Sequence, residues 1–422
     1  MYKITLLLFI GLMAFVGCKK NDIITPKTTY SIVFNNDYNI LQGQFAAFLT
    51  NADGSIAAFR WLKGSDTTQL TVQFSEPETY HCTVVKMTIQ ETTAGRDTTL
   101  ELNTYQDLVN NTHINLRNLS YKRTTDYRIQ FKNISSLDTI IVPDGLTFVK
   151  PQASNNFFGH FKIQHTGDFW LRVRINGDPH WRYMIYNNFT GTELTAELDP
   201  NILPKMADNP PVIGLPFLST WKYSLQGLLD LENNRLLPIG DLDRAPGGSI
   251  PVLNKLTVFQ PDNQIFSGYR INLRGYNGSS GGYTYYYDRI FDQIPSEVPE
   301  PGFDIQQSTL NDTRLIAVVC TGQFDDLVVT RSNLTSPFIT WTVTTASAID
   351  GGTVKMRLSD VPAALTAVFP SLGDYSFADK TLVRAENYDF LNGVEEVYAK
   401  IFSSNDPFWQ AKAQMMGIER QF

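Results

Sequence analysis

The chain has 422 residues, of which 42% are hydrophobic, 12% aromatic and 18% charged, with a formal net charge of −7. That apolar content excludes an intrinsically disordered chain. The acidic balance, without any Lys/Arg cluster, argues against a nucleic-acid partner, which needs concentrated positive charge. A chain of this length holds about two to four domains at roughly 100–200 residues each.

At the N-terminus Met1-Tyr2-Lys3 supplies one positive charge, and residues 4–16 carry none. This is the n-region and h-region pattern of a signal peptide. The apolar run is shorter than the ~20 residues of a membrane-spanning helix, and it ends at Phe15-Val16-Gly17-Cys18. These four residues resemble the lipobox of bacterial lipoproteins. The resemblance implies that residues 1–17 are removed and that Cys18 receives the lipid that holds the protein to a membrane. Residues 18–29 follow as a polar tether opening Lys19-Lys20-Asn21-Asp22. That start is similar to those of Bacteroidota lipoproteins, which implies a lipid-anchored place at the cell outer membrane. The resemblance is confined to this terminus and assigns no catalytic or ligand-binding residue.

Residues 30–122 read as an N-terminal β-sandwich. Gln44–Leu49 and Ser55–Trp61 flank Asn51-Ala52-Asp53-Gly54, whose Asp-Gly pair suits the positive φ of a hairpin turn. Thr68–Phe74, Tyr80–Gln90 and Thr98–Thr104 continue the series, with turns at the spacing of a sandwich.

Residues 123–294 form a central β-rich region with two aromatic hairpins. In the first, Phe169–Ile175 returns as Trp181–Tyr186. Alternation predicts an apolar face of Leu171, Val173, Ile175, Trp181, Tyr183 and Ile185, opposite a face of Trp170, Arg172, Arg174, Arg182 and Tyr186. In the second, Ile265–Tyr276 leads through Gly278-Ser279-Ser280-Gly281-Gly282 to Tyr283–Tyr287. Tyr283, Tyr285 and Tyr287 share one face, and Arg270, Asn272, Arg274 and Tyr276 share one on the partner strand. Flat rings beside Arg and Asn donors suit a glycan or a cell-surface protein. The candidate ligand-binding residues are therefore Trp170, Arg172, Arg174, Tyr186, Arg270, Arg274, Tyr283, Tyr285 and Tyr287. Cross-strand pairs of this kind also stabilise a sheet with no ligand at all.

Three prolines in residues 295–302 mark a linker, placed at 295–304. Residues 305–422 then form a C-terminal β-rich domain with strands at Thr313–Cys320, Leu327–Arg331, Phe338–Thr344 and Val354–Leu358, and a turn at Ala348–Gly352. Asn392 and Glu395 cap a helix carrying Val394, Val397, Tyr398 and Ile401, although Val397, Ala399 and Ile401 also fit an edge strand. Asp406-Pro407 opens a second helix with Phe408, Ala411, Met415 and Ile418 on one stripe. The expected fold is mainly β: two or three tandem β-sandwich domains, Ig-like or transthyretin-like, with one or two short terminal helices.

No residues assemble into a catalytic pattern. Gly278–Gly282 matches the letters of a nucleophile elbow but lies between two strands, where the elbow needs a following helix. His160 and His165 point to opposite faces of a strand, and no cofactor or metal is implied. Asp241/Asp243 carries at most a weak calcium pattern, while Asp325/Asp326 and Glu297/Glu300 read as solvated turn residues. With Cys18 lipidated, Cys82 and Cys320 are expected as two buried free thiols, with one bridge between them as the alternative. The expected role is a non-catalytic binding protein. The alternatives are a structural adhesin, similar in outline to Bacteroidota fimbrial lipoproteins, and then a glycan hydrolase.

Overall fold

The computed structural model describes the strands named below and their adjoining turns between residues 27 and 402, together with residues 414–422. Residues 1–26, 403–413 and most of the stretches between strands lie outside the described residues, and so does Cys18. The first strands are β1 (Lys27–Asn36), β2 (Gly43–Asn51), β3 (Ile56–Leu62), β4 (Thr67–Ser75), β5 (Tyr80–Thr92), β6 (Gly95–Leu108) and β7 (Thr112–Leu116). Then come β8 (Arg123–Phe131), β9 (Leu137–Ile141), β10 (Thr147–Val149), β11 (Phe157–His165), β12 (Phe169–Ile175), β13 (Trp181–Tyr186) and β14 (Glu193–Leu198). They are followed by β15 (Val212–Gly214), β16 (Thr220–Asp230), β17 (Arg235–Asp241), β18 (Lys255–Thr257), β19 (Gly268–Asn277) and β20 (Tyr283–Phe291). The last are β21 (Asp304–Leu310), β22 (Leu315–Ser332), β23 (Phe338–Arg357), β24 (Lys380–Tyr388) and β25 (Gln414–Gln421), with a short helix α1 (Ala363–Thr366) after β23. The protein is mainly β.

One 13-stranded sheet runs β17-β16-β19-β20-β25-β24-β22-β23-β6-β5-β2-β3, with β21 beside β22. It draws strands from all three expected regions, so the boundaries expected at residues 122 and 295–304 are crossed by a shared sheet. The N-terminal set joins the C-terminal set where β6 runs parallel to β23, with Leu102 registered on Trp341. The Pro-containing stretch is packed against the fold: Val298 is buried and its N–H donates to the Gly214 carbonyl at 2.8 Å.

Three apolar cores follow from side-chain alternation on this sheet. On one face of its middle, Leu102, Trp341, Leu327, Val383 and Ile418 form a core with Ile316, Val318 and Met356. Farther along the same face, Ile271, Leu273, Tyr285 and Tyr287 form a second core, which β13 covers with Tyr183. On the opposite face Phe45, Ala47, Leu49, Cys82 and Val84 pack under Ile32, Leu70 and Ile114 of the β4-β1-β7 sheet. That last pair of layers is sandwich packing of two sheets.

The β2–β3 hairpin forms as the sequence predicts. Gly54 takes φ +88, and Asp53 Oδ1 accepts from the Ser55 N–H at 2.8 Å. The Ser55 hydroxyl, which donates to the same oxygen at 2.6 Å, and this N–H hold the Asp53 carboxyl below the usual carboxylate range. The turn expected at Ala348–Gly352 is instead a bulge inside the 20-residue β23. The register shifts between Cys320 and Gln323 opposite it, and Gly322, Gly351 and Gly352 all have positive φ. The four strands expected there are thus two long ones. Glycine suits a bulge for the same reason that it suits a turn. The second terminal helix is also corrected: Met415 and Ile418 lie in strand β25, while Asp406, Phe408 and Ala411 lie outside the described residues. The first helix is helical at 396–398 and 402, with Val397, Tyr398 and Phe402 buried. Among the described residues no helix is long and apolar enough to cross a membrane.

Candidate functional site

The two aromatic hairpins come out differently from the expected faces. In the first, Arg172 registers on Tyr183 and Arg174 on Trp181, so odd positions on β12 oppose even ones on β13. A turn one residue longer or shorter would reverse this, because the side-chain period is two. The arginines therefore share a face with Trp181 and Tyr183 rather than lying behind them. Arg172 is 5% exposed, and both guanidinium groups lie over the Trp181 ring, at 5.7 and 5.2 Å from its centroid. This face turns toward the second core, so Arg172 and Arg174 cement two layers. Arg182, on the other face, is pinned by Asp178 Oδ2 at 3.0 Å and by the Asn201 carbonyl at 2.8 Å. The side chains of Trp170 and Tyr186 lie outside the described residues.

In the second hairpin the tyrosines and arginines occupy opposite faces of the sheet. Tyr285 registers on Gly275 and Tyr287 on Leu273; these rings are 0% and 1% exposed and belong to the second core. Tyr285 OH donates to the Pro299 carbonyl at 2.7 Å, and burial raises both phenol pKa values. As an open ring platform, this pair is corrected to core. Tyr283 is half-buried under the Arg420 guanidinium, 5.5 Å from its ring centroid. On the other face Arg270 makes a two-pronged pair with Asp288 at 2.7 and 2.6 Å, and Asn272 also donates to Asp288 at 2.9 Å. Arg270 is thus occupied, whereas Arg274 is exposed.

Arg274 opens onto a cleft of about 710 Å³ where β19, β20, β24 and β25 end together. Its lining includes Tyr276, Thr284, Lys380, Glu419, Arg420 and Phe422. Two rings are accessible there, Tyr276 at 47% and Phe422 at 43% exposure. The Arg274 guanidinium lies 5.1 Å from the Tyr286 ring centroid, and Tyr286 OH donates to Glu419 Oε1 at 3.2 Å. At the rim Arg420 Nη2 reaches both Asp304 carboxylate oxygens, at 2.8 and 3.0 Å. Among the described residues no carboxylate pairs with Arg274 or Lys380. This mixture of exposed rings, cations and a hydroxyl can stack on a sugar ring and bind its polar substituents. Sequence reading reached Arg274 and Tyr276, and missed Lys380, Glu419, Arg420 and Phe422. Three of those four lie on β24 and β25, and Phe422 directly follows β25, far along the chain; the helical stripe assigned to residues 408–418 concealed the second of these strands.

Carboxylates also meet elsewhere. Asp326 and Glu386 register on each other across β22 and β24, and Tyr388 OH donates to both, to Asp326 at 3.3 Å. Asp325 accepts the Tyr388 N–H at 2.7 Å, and burial raises its carboxyl pKa. Asp326 and Glu386 are buried, so Asp325/Asp326 is a strand pair joined to Tyr388 rather than a solvated turn. Glu297 and Glu300 are exposed. No group of three His, Cys, Asp or Glu capable of holding a metal occurs among the described residues; Asp243 lies outside them. No protein-family profile matches the chain, and no curated protein matches its sequence.

Proposed function

We propose that the protein is a non-catalytic, lipid-anchored component of the cell envelope that binds glycan in the cleft at the ends of β19, β20, β24 and β25. The observation that carries this reading is the pairing of an exposed ring, Tyr276, with Arg274, two residues away on one strand face, a cation with no carboxylate partner among the described residues. The Phe15–Cys18 run supports the anchor and an outer-membrane location. The finer description as Ig-like or transthyretin-like modules belongs to this proposal. It is supported by the β4-β1-β7 layer packed on β2 and β5, although such modules share one sheet. The test is affinity electrophoresis of the mature chain in gels containing polysaccharide. Retardation that is lost in Tyr276→Ala, at an unchanged melting temperature, supports the reading; equal mobility in every gel overturns it.

A structural subunit of a surface appendage is the second reading, favoured by edge strand β3, where Ile56 and Trp61 are both 39% exposed. An unpaired edge can template a further strand. Concentration-dependent oligomers abolished by Trp61→Lys would favour this reading, and a strict monomer would remove it.

A further inference from the structure

Resting on the glycan reading of the cleft, we infer that its ligand is an acidic oligosaccharide, whose carboxylate or sulfate groups are taken by Arg274 and Lys380. The charges in the cleft divide into satisfied and unsatisfied sets. Arg420 is neutralised by the two-pronged contact with Asp304. Glu419 is hydrogen-bonded by Tyr286 OH and registers on Arg384 of the neighbouring strand. Arg274 and Lys380 remain as cations without a carboxylate partner among the described residues.

The Arg274 guanidinium lies over the Tyr286 ring. A planar guanidinium held by one face against a ring keeps its edge N–H groups for a forked contact with a carboxylate or sulfate. Tyr276 follows two positions along the same face, a rise of about 7 Å on a strand. That offset suits a pyranose whose C–H face rests on Tyr276 while its acidic substituent reaches Arg274. A neutral sugar would strip water from Arg274 and Lys380 and return no counter-charge, which opposes binding.

The experiment is a binding assay of the mature chain on matched pairs: oligogalacturonate against its methyl ester, and chondroitin sulfate against its desulfated, carboxyl-reduced form. The acidic member of a pair should bind at least about ten-fold more tightly, and the preference should shrink between about 50 and about 300 mM salt. Arg274→Gln and Lys380→Gln should each reduce the preference without changing the melting temperature, whereas Tyr276→Ala should weaken acidic and neutral members alike. Equal binding within both pairs overturns the acidic ligand and leaves glycan binding standing. Binding of neither member of either pair overturns both.

Discussion

Trp341 Nε1 donates to Thr104 Oγ1 at 3.0 Å, joining residues 237 apart across the parallel seam between β6 and β23. Thr104 Oγ1 lies 2.7 Å from the Thr83 hydroxyl, and all three residues are buried. Thr104→Val removes the shared hydroxyl at nearly constant volume and deprives the indole N–H of this acceptor. The expected loss is about 1–3 kcal/mol, read from urea unfolding by tryptophan fluorescence. Because the seam belongs to one sheet, near- and far-UV signals should fall together; two separated transitions would show that the N-terminal and C-terminal strand sets unfold independently.

Arg270 and Asp288 form a close ion pair, with Asp288 nearly inaccessible. Arg270→Ala strands that carboxylate and should cost about 3–5 kcal/mol. Asn272 alone cannot replace a bidentate cation. Removing both partners, Arg270→Met with Asp288→Leu, should cost much less than the single change, since no buried charge is then left without its counter-ion. A single mutant as stable as the parent would mean that the pair is solvated.

His81 is buried, and its Nδ1 accepts the Asp107 N–H at 3.1 Å. Burial lowers its pKa below the ordinary histidine value. In the unfolded chain the ring takes up a proton near pH ~6.5, which the folded protein resists. Stability is therefore full above that pH and declines as pH falls toward the lower folded value. Denaturant midpoints between about pH 7.5 and 5 should drop in the parent and drop less in His81→Gln. Identical pH slopes would assign the acid sensitivity to other groups.

Cys82 and Cys320 are free and buried in cores on opposite faces of the sheet. Burial pushes both thiols up, Cys320 to about 12, so at neutral pH neither presents a reactive thiolate. In a Cys18→Ala chain, alkylation should proceed only after unfolding and then label both positions. Rapid native labelling of either one would place it at the surface.

Much of the local structure was legible in the sequence. The β2–β3 hairpin announces itself through Asp53-Gly54, and the alternation in Gln44–Leu49 and Tyr80–Gln90 matches strands β2 and β5. What the sequence could not carry was register and long-range pairing. One residue of turn length decided whether Trp181 and Tyr183 shared a face with Leu171 and Val173 or with Arg172 and Arg174. Tyr283–Tyr287 reads equally as a platform or as core, and only the layer carrying Tyr183 and Ile213 decides for core. At the cleft, Arg274 was readable as an exposed cation beside Tyr276, but its neighbours Lys380 and Glu419 come from strands whose placement depends on pairing, which no local pattern encodes.

Strand β25 sits between β20 and β24, with Glu419 registered on Thr284 and on Arg384, although it follows every other strand of the sheet in chain order. Synthesis therefore delivers two incomplete half-sheets before it delivers the segment that unites them. Pairing over such sequence separations is slow, and during the wait β20 and β24 each present a bare edge open to pairing with other chains. A chain halted before residue 414 would remain in that condition permanently. How long those edges stay bare depends on how quickly residues 414–421 find their slot, a matter of folding time rather than of final stability.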